Sequence, residues 1–216
     1  MKLKFVKVGK FISRLNKFTC VVNINGFETK VHLHDPGRLE ELLIPNAEVY
    51  LAVNKGIYPY RIIAVKAEDE TVLLDSSLHN NIFEEYFNLI FPNRKIIGKE
   101  IPLGKRRIDF LLDDNTYVEV KGVTLVHDNV ALFPDSPTER GRRQIAELEK
   151  VKGSIVFLVL RRRAERFSPN WKKDPKFAIE LLKAHRDGLK VIPFKVIIES
   201  FETIPIGRIE FSPYLN

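Results

Sequence analysis

Two carboxylates and an ammonium stand in a spacing suited to phosphodiester hydrolysis. Asp109 lies in Arg106-Arg107-Ile108-Asp109-Phe110-Leu111-Leu112, and Glu119 and Lys121 follow in Tyr117-Val118-Glu119-Val120-Lys121-Gly122. Alternation along a strand puts Glu119 and Lys121 on one face and Val118 and Val120 on the other. A hairpin through Asp113-Asp114-Asn115 would bring Asp109 alongside. Paired carboxylates hold a hard cation, Mg²⁺ or Mn²⁺, with the backbone carbonyl of Val120 as a third ligand. Such a cation polarises a phosphoryl oxygen and acidifies water. Lys121 would act as base or stabilise charge on the phosphate. The competing reading is a solvated cross-strand ion pair. The apolar flanks of Glu119-Val120-Lys121 and the carboxylate-bearing strand before it favour the catalytic one.

Further groups could join. The segment Asn80–Phe91 has helical spacing with Ile82, Phe83, Tyr86, Leu89 and Ile90 on its buried face. Glu85 lies nearer the edge of that face than Glu84, which makes Glu85 the expected additional metal ligand. Arg38, Arg107, Arg140, Arg142, Arg143 and Arg161 are the expected phosphate contacts. His32 and His34 share a strand face and suit a phosphate-contacting or structural role better than a metal site. Phe5, Phe11 and Phe18 among Lys2, Lys4, Lys7 and Lys10 resemble a stacking surface, though core packing explains them as well.

The elements that must carry these groups divide at about residue 75. Before it come short strands: Phe18–Ile24, an Asn25-Gly26 hairpin turn, Phe27–Leu33, then 49–53, 60–66 and 71–74. A short helix is expected from an Asp35 N-cap and Pro36, with Leu39, Leu42 and Leu43 inward. This pattern over 1–75 fits a small β-barrel that grips nucleic acid, with the OB type the first choice and an SH3-like barrel the alternative. Over 76–216 the order is helix, three strands, helix, strand, helix, strand, an α/β domain with a mixed sheet. Within it, Ser136-Pro137-Thr138-Glu139 reads as a capping box opening a helix to Lys150. Ser154–Leu160 reads as a strand buried on both faces.

Composition narrows the function classes. With 35 Lys and Arg against 28 Asp and Glu the net charge is +7, which favours a polyanionic partner. Duplex DNA is the first choice and RNA the second. One cysteine, Cys20, rules out an internal disulfide or a thiolate zinc site. No stretch reads as a signal peptide or a membrane span, so the expected location is the cytoplasm.

Asp109 with Glu119-Val120-Lys121 resembles the PD-(D/E)xK nuclease signature, with Ile108 in the place of proline. Over nearly its whole length the chain resembles the sugar fermentation stimulation protein A family. The blocks are His34-Asp35-Pro36-Gly37-Arg38-Leu39, Arg107–Leu112, Val118–Leu125, Ala131-Leu132-Phe133-Pro134-Asp135 and Thr138-Glu139-Arg140-Gly141. The resemblance implies an N-terminal OB-fold, a C-terminal nuclease-like domain and DNA binding. The expected function is a Mg²⁺-dependent nuclease acting on DNA. Its rival is a non-catalytic DNA-binding or regulatory protein on a nuclease-like core.

Overall fold

The computed structural model describes residues 1–104 and 106–214. Strands β1 (Lys7–Asn16), β2 (Thr19–Ile24), β3 (Phe27–Leu33), β4 (Glu48–Val53) and β5 (Tyr60–Ala67) form the N-terminal unit. Neighbours run β3-β2-β1-β4-β5, and a parallel bridge from β3 to β5 (His32↔Arg61, Leu33↔Ile62) closes the barrel. The β2–β3 hairpin turns through Asn25 and Gly26 with φ of 53° and 88°, both in the left-handed region that an Asn-Gly turn supplies at little cost. Inside are Phe11, Cys20, Val22, Val31, Leu33, Leu51 and Ile62. Strand β1 carries the lysine–apolar alternation of the amino-terminal segment, which sequence pattern alone had not marked as a strand.

The helix expected after Asp35 does not form. The Arg14 guanidinium donates to the carbonyls of Gly37 (2.6 Å), Arg38 (2.7 Å) and Asp35 (3.1 Å). Asp35 Oδ1 accepts from Gly37 N at 2.7 Å instead of capping a helix. Loop carbonyls tied down in this way are unavailable to a helical ladder. Leu39, Leu42 and Leu43 still plug the barrel.

Strand β6 (Glu70–Leu73) leaves the barrel and pairs with β5. Helices α1 (His79–Glu85) and α2 (Phe87–Ile90) follow, then β7 (Ile96–Leu103), β8 (Arg106–Leu112), β9 (Tyr117–Val123), β10 (Val126–His127) and β11 (Val130–Phe133). Helix α3 (Glu139–Lys150), β12 (Ser154–Val159), β13 (Arg166–Pro169), α4 (Pro175–Arg186), β14 (Lys190–Glu199), β15 (Glu202–Arg208) and β16 (Glu210–Phe211) complete the chain. The main sheet runs β6-β14-β12-β9-β8-β7, with β12 parallel to β9 and β14 and the outer pairs antiparallel. A mixed sheet between two helical layers results. Ile155, Phe157 and Val159 of β12 face α3 and α4, while Val156 and Leu158 face α1 and α2. Every residue of β12 is buried, as its apolar run requires. A second, small sheet holds β10, β11, β13 and β16, short elements that carried no clear periodicity.

Two further expectations change. Thr138, not Ser136, caps α3, its hydroxyl accepting from Gly141 N at 3.1 Å. Glu139 instead pairs with Arg143 four residues on, so no capping box forms. The helix over 80–91 breaks at Tyr86 (φ −104°, ψ 13°), and Leu89 turns outward, 58% exposed.

Candidate active site

Strands β8 and β9 pair only at Phe110↔Val118 and Leu111↔Tyr117. Beyond that point they separate, and the Asp109 side chain fills the gap. Its Oδ2 accepts from Val120 N at 2.8 Å, replacing the carbonyl a continuing ladder would have supplied. Its Oδ1 accepts from Asn80 Nδ2 of α1 at 3.1 Å. The expected hairpin therefore delivers Asp109 to Glu119 by opening rather than by pairing on.

Glu119 and Lys121 face α3 from β9, where Gln144 meets both. Glu119 Oε1 accepts from Lys121 Nζ and from Gln144 Nε2, and Lys121 Nζ also donates to Gln144 Oε1 at 2.9 Å. Glu119 is 2% exposed, and its Oε2 has no hydrogen-bond partner among the described residues. Burial pushes its carboxyl pKa up, opposed by Lys121 and reinforced by Asp109. A charge desolvated on one unpaired oxygen carries a cost that a cation would relieve. Among the described residues no three His, Cys, Asp or Glu side chains converge. A cation here would take two carboxylates and the Val120 carbonyl.

His79, at the start of α1, lies against Gly122, where an added Cβ would come 2.0 Å from His79 Cε1. Only glycine can follow Lys121 in this arrangement. Burial lowers the His79 pKa to about 4, against the opposing charge of Asp75 and with that of Lys121, so the ring is neutral near pH 7. Its Nε2 is buried without a partner among the described residues. These groups line a cleft of about 630 Å³. The barrel supplies the opposite wall through Phe18, His34, Asp35 and Gly37. Asp135 clamps the two walls: its Oδ2 accepts from Arg38 N at 2.6 Å and Leu39 N at 3.4 Å.

The structure thus brings Asp109, Glu119, Val120 and Lys121 together. It does not bring Glu85, whose carboxylate binds the Met1 ammonium, and Glu84 pairs with Lys99. The first turn of α1 faces the site, so Asn80 and His79 occupy the place assigned to a glutamate. The six arginines divide. Arg107 and Arg140 are exposed and enter no ion pair among the described residues, with Arg140 lining the cleft. Arg38 and Arg143 are exposed beside Glu40 and Glu139. Arg142 is instead consumed by Asp174, donating to both oxygens at 3.1 and 3.0 Å. Arg161 is 1% exposed, bound to Glu70 Oε1 at 2.6 Å and Thr124 O at 3.0 Å. Both are structural: Arg142 because its guanidinium is taken up by Asp174, which caps α4, and Arg161 because the buried strand before it ends inside the protein. Asn80, His79 and Arg14 escaped sequence reasoning, and Gln144, which the helix after the site offers as a phosphate-backbone contact beside Arg140, Arg142 and Arg143, instead meets Lys121 and Glu119. Gln144, the only glutamine in the chain, lies next to Ile145 on the buried stripe of α3.

Residues 12–74 match the SfsA N-terminal OB domain, and residues 76–202 match the sugar fermentation stimulation protein RE domain. A sugar fermentation stimulation protein homolog of Pyrobaculum arsenaticum is 44% identical over 200 residues, covering 87% of this chain and 86% of that protein. One from Methanothermobacter thermautotrophicus is 41% identical over 219 residues, covering 93% and 91%. The solved structure of Pyrococcus furiosus SfsA in complex with Ca²⁺ superposes with a TM-score of 0.89 at 28% identity, covering 98% of this chain and 99% of that one.

Proposed function

The chain belongs to the sugar fermentation stimulation protein family, and from that premise we propose that it is a divalent-cation-dependent phosphodiesterase acting on DNA. The observation that carries the reading is Glu119 Oε2, buried, without a donor among the described residues, in a cleft with Asp109 and Lys121. An ordinary structural ion pair satisfies its oxygens; this one holds an oxygen back. Asp109, Glu119 and the Val120 carbonyl would hold Mg²⁺ or Mn²⁺. The complex of the Pyrococcus furiosus relative with Ca²⁺ supports that class of cation. When bound, the cation polarises a phosphoryl oxygen and acidifies water.

The protein's own groups would do the rest. Glu119 and Gln144 fix the Lys121 ammonium, so it can stabilise charge growing on the phosphate without reorganising. The neutral His79 ring packs behind β9 without adding a second positive charge beside Lys121. Arg140 at the cleft edge and Arg107 on β8 offer exposed guanidinium groups to flanking phosphates. The net charge of +7 gives that contact a long-range component that weakens with salt.

The test is a cleavage assay on single- and double-stranded DNA and on RNA, with Mg²⁺, Mn²⁺ or EDTA. DNA should be cut with either metal and not in EDTA. Lys121→Ala should slow cleavage about 10²–10³-fold with binding retained. Binding without metal-dependent cleavage would leave the non-catalytic DNA-binding protein as the correct reading.

A further inference from the structure

We infer that the mouth of the cleft holds a nucleobase-stacking subsite built on Phe18 and His32, which selects unpaired nucleotides beside the catalytic groups. The inference deepens the proposed function and rests on it.

Phe18 forms the β1–β2 turn with Lys17 and is 45% exposed, whereas Phe11 of the same barrel is 3% exposed. The barrel core does not need the Phe18 ring. That ring lies nearly parallel to His32, with centroids 6.3 Å apart and planes at 24°. His32 in turn meets His34 edge-on at 5.5 Å, with His32 Nε2 and His34 Nδ1 3.3 Å apart. Burial and the neighbouring His34 lower the pKa of His32, so it presents a neutral aromatic face near pH 7. The Lys17 ammonium stands 5.7 Å from the Phe18 centroid. Lys30, exposed, shares the β3 face with His32 and His34. Aromatic planes with cations on both sides form the usual platform for single-stranded nucleic acid, because every base has a π-face and every link a phosphate.

Position and size select the occupant. Lys17, Phe18 and His34 line the same cleft as Asp109, Glu119 and Lys121. A cleft of about 630 Å³ between two walls matches the ~300–1,000 Å³ of small-ligand sites. Its interior has room for one or two nucleotides drawn out of a stack. Lys17 and Lys30 flank the rings themselves, which suits a polyanionic strand better than an apolar protein segment.

The test compares a fluorescein-labelled oligothymidylate with a blunt duplex of equal length by anisotropy, in EDTA and low salt. Phe18→Ala should weaken single-strand binding about tenfold, the scale of one lost base–aromatic stack, and change duplex binding less than about twofold. Phe18→Trp should restore the wild-type affinity. Oligonucleotides carrying 5-iodouracil should photocrosslink to Phe18 or His32. Equal losses on both ligands, or no loss, would overturn the subsite while leaving metal-dependent cleavage by the wild type standing. Failure of the wild type to bind either ligand would overturn the proposed function and the subsite together.

Discussion

Two buried glutamates of the same sheet, on strands separated by β14 and β12, are treated in opposite ways. Glu70, at the junction between barrel and sheet, is 7% exposed and fully engaged: Oε1 accepts from Arg161 Nε at 2.6 Å and Oε2 from Arg162 N at 2.7 Å. Glu119, in the cleft, is 2% exposed, shares one oxygen between two donors and leaves the other without a partner among the described residues. The first arrangement is closed and consumes an arginine that sequence position alone had offered to nucleic acid. The second is open and costs stability until something fills it. What separates these two carboxylates is not burial but an oxygen left without a partner among the described residues.

Removing the partner of the closed carboxylate should have the largest effect on stability. Arg161→Ala strands Glu70 as an uncompensated buried charge, and unfolding in denaturant should show a loss of about 3–5 kcal/mol. Replacing Glu70 and Arg161 together by Leu and Met should recover most of it. A single-variant loss below about 1 kcal/mol would mean the junction pair is no more than a surface bridge, and the contrast with Glu119 would collapse.

The open carboxylate should respond to cation instead. Mg²⁺ or Mn²⁺ at a hundredfold excess over its Kd should stabilise the fold by about 2.7 kcal/mol, read as a rise in Tm. Asp109→Asn and Glu119→Gln should abolish that increment. Both retain volume and relieve repulsion between the acids, so neither should lower the metal-free Tm much. Identical metal responses in wild type and variants would make the cluster an ordinary ion-pair array.

The smallest effect concerns Asp35, half-buried on the barrel wall of the cleft. Burial raises its pKa from 3.8 to about 6, opposed by the Gly37 N–H and reinforced by Asp135. Because the folded value lies above the unfolded one, the wild type is most stable where Asp35 is protonated in both states. It should lose stability as pH rises from about 4 to about 6 and stay level above. Asp35→Asn keeps an acceptor for Gly37 N and removes the charge. Above pH 6 it should therefore be more stable by on the order of 1 kcal/mol, and the difference should vanish near pH 4. A difference independent of pH would assign the effect to packing.

Sequence made the catalytic candidates legible because strand alternation is a strict rule: once 117–123 is a strand, Glu119 and Lys121 must share a face. It made β12 and α4 legible for similar reasons, a continuous apolar run and an Asp174-Pro175 start. It failed where a distant group overrides local preference. The helix after Asp35 is lost to Arg14, twenty-one residues earlier in the chain. Glu85 is turned away because the helix breaks at Tyr86 and only its first turn meets β9. Arg161 looked free because nothing local reveals that Glu70 waits beyond the end of β12. Alternation could show which residues share a face but not that β8 and β9 part at Asp109.

The pairing of Thr71 with Ile198 bears on how the chain comes together during synthesis. All strands that close the barrel precede β6, so their partners are present early. The second partner of β6, beyond β5, is not. At roughly 5–20 residues added per second, β14 follows β6 after about 6 to 25 seconds. For that interval one edge of β6 presents unpaired amides and carbonyls to any neighbouring nascent chain. Its four-residue length and the adjoining Glu68 and Asp69 limit what such an edge can recruit until its own partner strand arrives.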